Sequence, residues 1–240
     1  MKLIDNNYLI AKGLFESLQL SFGINNSVDS NIQTEINRVL NEAKSRQEIL
    51  DKVIEFIGDA NTIEKRYLLA KALSWSRVSK RSDAIIALNN TIQDKVNISD
   101  FSKTSHFVFY PYIEDKNLIE MNIYKSDLYF ELSKKYAGEH QFEEALDAAI
   151  MAYNLTPFYA HSIINVCNCF VYLNELENAK LFYEEVMNSE YFNLKIKSLN
   201  NDQKQYLLNF KEIVSRYYDE LLVKIKKGYI YKPRLKKDNR

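Results

Sequence analysis

Glycine and proline are scarce in this chain, with 5 Gly and 3 Pro among 240 residues. A sheet protein of that length needs many tight turns, which use Gly for positive φ and Pro for its fixed φ. The shortage excludes a turn-rich β architecture and leaves long helices joined by short polar links. Five Gly also leave no Gly-rich loop to cradle a phosphate, and no Ser sits in a nucleophile turn motif. The three histidines, His106, His140 and His161, are scattered, and the two cysteines are Cys167 and Cys169. Side chains two apart on a helix leave it about 200° apart, and His161 and Cys167 diverge by about 240°. Neither a disulfide nor a convergent set of zinc ligands is expected, and no metal or cofactor. No apolar run reaches the roughly 18 residues that span a bilayer. Asp5, Asn6 and Asn7 interrupt what could have been the apolar core of a signal peptide. Free thiols in a reducing cytoplasm, with no membrane partner, are the resulting expectation.

What is present is an ordinary globular share of hydrophobic residues, 46%, and a net charge of zero from 32 basic and 32 acidic side chains. The distribution is uneven. Lys224–Arg240 holds eight Lys or Arg against the single acid Asp238, a surplus of +7 that the rest of the chain balances. Such a tail can hold nucleic acid, an anionic surface or an acidic protein. It can equally be a solvated end, which is the preferred reading.

Periodicity is clearest from Ser126. Tyr129, Leu132 and Tyr136 lie on one helical face; after Gly138–Gln141 a second pattern runs through Phe142, Ala145, Leu146, Ala149, Ala152 and Tyr153. It ends at Thr156-Pro157, where Pro cannot continue a helix. Moving 34 residues on from Tyr129, Leu132, Tyr136, Ala145 and Ala149 lands on Ile163, Val166, Phe170, Ala179 and Tyr183, with Ala on Ala at the tightest position. A weaker hairpin spans Ile63–Gln93 through Leu68, Ala72, Trp75, Ala84 and Leu88, with Lys71 where Leu is expected. Tyr8–Phe22, Asn31–Ala43 and Arg46–Ile57 read as further helices. Asp202–Lys227 reads as a long closing helix whose broad stripe includes Tyr206, Leu207, Phe210, Val214, Leu221 and Leu222.

A 34-residue period of small and large apolar residues resembles the tetratricopeptide repeat family. Tyr129, Leu132, Tyr136, Ala145, Ala152 and Pro157 stand at that family's signature positions; Ser133, Val186 and Tyr191 depart from its Gly, Ala and Pro. The chain as a whole is similar to uncharacterised tetratricopeptide-repeat proteins of Gram-positive bacteria. The resemblance implies an all-α, α-solenoid fold of helical hairpins. The organisation expected is N-terminal helices over 1–60, repeats over 61–193 with an irregular insertion near 94–117, a capping helix over 194–227 and a basic tail over 228–240. The closing stripe covers the last repeat; docking of a second copy, giving a homodimer, is the competing account.

The same resemblance implies a concave groove lined by the first helix of each pair. Its groove positions are Asp127, Phe130, Lys134, His161, Ile164, Asn165 and Asn168, with Arg66, Leu69 and Arg77 from the earlier hairpin. Phe130 stands where a clamp for a terminal carboxylate would want Lys. The segment 106–112, dense in aromatics, would either form a flap over the groove or pack onto the helices. Glu143, Glu144 and Asp147 suit the positive end of a helix and lack a pocket for acid catalysis. The expected function is a non-enzymatic scaffold or adaptor that binds a protein or peptide. Peptide-sensing regulation and nucleic-acid binding through the tail are the alternatives.

Overall fold

The computed structural model describes residues 5–19, 29–94, 116–189, 192–193 and 201–233. Among them the regular structure is helical, with no strand. The contacts divide the chain into two compact units, Met1–Ser102 and Lys103–Arg240.

The first unit holds α1 (Asn6–Gln19), α2 (Ser30–Glu42), α3 (Arg46–Ile57), α4 (Ile63–Trp75) and α5 (Arg81–Ile92). Local chemistry sets the starts. Asp29 Oδ1 accepts from the Asn31 amide at 2.9 Å, and Ser45 Oγ accepts from the Glu48 amide at 3.2 Å. The Glu48 carboxylate reaches back to the Lys44 amide at 2.7 Å, a variant of the reciprocal capping pattern. Thr62 Oγ1 caps α4 through the Lys65 amide. One core gathers Ile10, Leu14 and Phe15 with Ile36, Val39, Leu50, Val53, Ile57, Leu68 and Ala72. Gly13 allows a close approach in it: a Cβ there would meet Ile36 Cδ1 at 2.4 Å. Ala84 and Leu88 are fully buried where α5 lies on α4. Lys71, at a Leu position, is 4% exposed, with Nζ 5.7 Å from the Trp75 ring centroid. A long aliphatic stem with its charge over an aromatic face can occupy such a place.

The second unit holds α6 (Lys116–Gly138), α7 (Phe142–Leu155), α8 (Ala160–Tyr172), α9 (Leu176–Asn188) and α10 (Asn201–Lys226). Each helix packs on the next, α6 also touches α8, and α8 touches α10. That is the packing of tetratricopeptide-like hairpins. The first helix starts at Lys116, well before Ser126, because no Gly or Pro between them stops it.

The repeat is visible down to its turns. His140 and Asn174, 34 residues apart, both adopt φ +64. Behind each, the same bond closes the helix: Gln141 N donates to Tyr136 O at 3.0 Å and Glu175 N to Phe170 O at 2.8 Å. A left-handed residue closing a helix in this way satisfies carbonyls that would otherwise lack partners.

Ala145, Ala149 and Ala179 are fully buried, and Tyr136 and Phe170 pack half-buried around the first two. Val186, where the family has Ala, is 2% exposed. Tyr191 and the aromatic segment 106–112 lie outside the described residues. So does the end of the basic tail, 234–240. Leu207, Phe210, Val214 and Leu221 of α10 are buried against α8 and α9. The closing helix therefore covers the last hairpin, while Leu208, Leu222 and Val223 face outward. No helix among the described residues is long and apolar enough to cross a membrane.

Candidate partner-binding site

The groove residues expected from the sequence come from α6 and α8, which pack together. Spacings of three and four put Asp127, Phe130 and Lys134 on one face of α6, and His161, Ile164, Asn165 and Asn168 on the equivalent face of α8. Lys134 and His161 are exposed, and Asp127, Phe130, Asn165 and Asn168 are half-buried. Ile164 differs from the expectation of an accessible groove residue. It is 7% exposed, because α8 is covered on most sides, with Ile163, Val166, Cys167 and Val171 also buried. Its side chain is packing and leaves little for a ligand to touch.

Lys134 Nζ sits 5.2 Å from the Phe130 ring centroid and 3.4 Å from the Glu131 carboxylate. Glu131, one residue along from Phe130, was not singled out by sequence, yet its side chain is only 4% exposed. Asn165 Nδ2 donates to Ser133 Oγ at 2.8 Å, and Ser133 Oγ lies 3.6 Å from Cys169 Sγ. The hydroxyl that replaces the family's Gly is thus fully buried with partners from α8. Tyr159 lies beside His161, with ring centroids 6.3 Å apart. The face carries a half-covered aromatic ring, an exposed cation and half-buried amides.

The two thiols diverge as helical geometry requires. Cys167 Sγ approaches Ala179 O on α9 at 3.9 Å, whereas Cys169 faces Ser133 on α6. Burial pushes Cys167 far above the ordinary thiol range and Cys169 up to about 11, the hydrogen bond with Ser133 opposing it only in part. Neither is poised as a nucleophile. Glu143, Glu144 and Asp147 are exposed on the opening turns of α7. Arg66 and Leu69 belong to the first unit, where Arg66 Nε holds Asp94 at 2.7 Å and Leu69 packs on the core; Arg77 is exposed.

A second cluster gave no sequence signal of its own. The rings of Phe142, Tyr172 and Tyr231 lie 4.8–5.7 Å apart, with His140 edge-on to Phe142 at 5.7 Å. Beside them the Asn174 side chain holds the backbone of Tyr231. The Asn at the left-handed turn position could have marked it, since only Gly and a few short polar residues rest there easily.

By sequence, no protein-family profile and no curated protein matches the chain. By structure it is similar to the crystal structure of MamA, at 14% identity and a TM-score of 0.43, over 84% of this chain and 97% of that one. It is the chain's own 34-residue geometry, repeated turn for turn, that makes the fold tetratricopeptide-like.

Proposed function

We propose that the chain is a protein-binding scaffold that holds an extended segment of its partner along the face shared by α6 and α8. One observation carries this reading: the half-buried Phe130 ring with Lys134 over it, on a helix packed against the one that bears the half-buried Asn165 and Asn168. Movement of the flexible Lys134 stem would bare an apolar face for a partner side chain. Asn168 carries both donor and acceptor and can pair with a peptide group, while Lys134 can then take a carboxylate. Buried aromatic anchors of this kind hold much of the energy of an interface.

The test compares four proteins in pull-downs from native lysate: wild type, Phe130→Ala, Asn168→Ala, and a chain lacking Lys232–Arg240. Affinity for a captured partner is then measured at two salt concentrations. Phe130→Ala should weaken binding by about 2 kcal/mol or more. Tail removal should act modestly, since charges on a solvated end are screened within about 8 Å at physiological salt. Loss of binding on tail removal, with Phe130→Ala unaffected, refutes the groove.

A further inference from the structure

The chain folds back on itself after α10. Gly228 takes φ +60, its amide donates to Ile225 O at 2.9 Å, and the Tyr229 amide donates to Lys224 O at 3.0 Å. The helix therefore ends on a left-handed Gly, and the next residues leave in an extended course. Tyr231 then meets Asn174, 57 residues earlier in sequence. The Tyr231 amide donates to Asn174 Oδ1 at 2.6 Å, and Asn174 Nδ2 donates back to the Tyr231 carbonyl at 3.4 Å.

An amide side chain that pairs with both the N–H and the C=O of one residue recognises extended backbone without regard to side chain. Selectivity has to come from elsewhere, and the Tyr231 ring supplies it. That ring is tilted against Tyr172 at 4.8 Å and edge-on to Phe142 at 5.7 Å. The slot is built where two consecutive repeats meet, from the start of α7 and the end of α8. Both halves are particular to this junction, for the preceding repeat has His140 in place of Asn174 and Gly138 in place of Tyr172. A shallow hollow beside the clamp is lined by the acidic residues Glu175 and Glu177 with Leu176, Asn178 and Ile225. In the bound segment Tyr231 is followed by Lys232 and Pro233. Proline holds Lys232, the residue before it, extended, so the chain continues past the clamped Tyr231 in an extended course.

We propose that Asn174 with the Phe142–Tyr172 slot is a peptide-binding site, that Tyr231 is its built-in occupant, and that its external ligand is an extended segment carrying an aromatic residue followed by a basic residue and proline. The site is distinct from the α6–α8 face and does not rest on it. A partner bearing such a segment displaces the chain's own tail, so occupancy of the site and release of the tail are one event. The tail competes as a tethered ligand at an effective concentration on the order of millimolar.

The probe is a fluorescein-labelled synthetic peptide with the sequence of Lys227–Pro233, titrated by anisotropy against full-length proteins. Three chains are compared: wild type, Tyr231→Ala, and Tyr231→Ala with Asn174→Gly. Glycine keeps the left-handed turn without strain and removes only the clamp, and circular dichroism checks that all three fold. The peptide should bind the Tyr231→Ala chain, bind wild type about tenfold more weakly because the tethered copy competes, and lose binding to the double variant. A peptide with Ala for its second Tyr, or Glu for its second Lys, should bind the opened chain more weakly. No binding to the Tyr231→Ala chain would make Tyr231 a packing residue only. Equal affinity for wild type and Tyr231→Ala, or unchanged binding to the double variant, would place the peptide elsewhere and overturn the proposal.

Discussion

If α10 is a cap, its two faces must differ sharply in what they contribute to stability, and single substitutions within one turn can measure that. Phe210 is 4% exposed, its ring 5.9 Å from that of Phe192, inside the core it shares with Ile163, Cys167, Tyr183 and Val186. Leu208, two residues earlier, is 48% exposed. Phe210→Ala removes a fully enclosed ring and leaves a cavity, a change that costs about 3–5 kcal/mol. For a chain of this size each kcal/mol lowers the melting temperature by roughly 2–4 °C, so a fall of about 6–20 °C is expected. Leu208→Ala touches little and should stay within about 0.5 kcal/mol. The assay is urea unfolding followed by circular dichroism, in which a lower midpoint at constant slope marks lost stability without a changed unfolded state. Sedimentation at two protein concentrations completes it. A neutral Phe210→Ala, or a Leu208→Ala that destabilises and makes melting depend on protein concentration, would show that α10 is an interface between copies.

Ala145→Leu should destabilise by roughly 1–3 kcal/mol in the same unfolding assay, because Ala145 is fully enclosed with Ala149, Val166 and Cys169 and has no room for three more carbons. The buried thiols predict an alkaline limb. Cys169 titrates near 11 in the folded chain against an ordinary value of 9.0, so between those values the unfolded chain has shed a proton that the folded chain keeps. The contribution is whole below pH 9 and drains away as pH rises toward 11, on the order of 2 kcal/mol at the upper end. Urea midpoints measured from pH 8 to 11 on wild type and Cys169→Ala should diverge over that window. For the same reason both thiols should react with a maleimide at pH 8 only as fast as the chain opens; rapid labelling of the native protein would contradict their burial.

The helices and their order were legible without a structure, because they follow from local chemistry. Arg46–Ile57 is α3 as read, and α2 and α10 differ from their expected spans by one residue at each end. The 3.6-residue period announces the buried face, and Pro157 announces a stop. The 34-residue recurrence likewise carried the close contacts at Ala145 and Ala179, since only a residue without a long side chain fits where two helices touch. The accessible surface was harder to read. Phe130 and Ile164 occupy equivalent places in successive repeats, yet one is half-buried and the other enclosed, since exposure depends on what each neighbouring helix brings up against it. Glu131 lies on a polar stretch of α6 and is nevertheless buried. The docking of Tyr231 on Asn174 spans 57 residues and depends on a turn angle, two rings from different helices and the exit direction of α10. No periodicity encodes such a contact: the sequence supplies its parts at distant positions, and only the packing of the hairpins brings them within hydrogen-bonding distance.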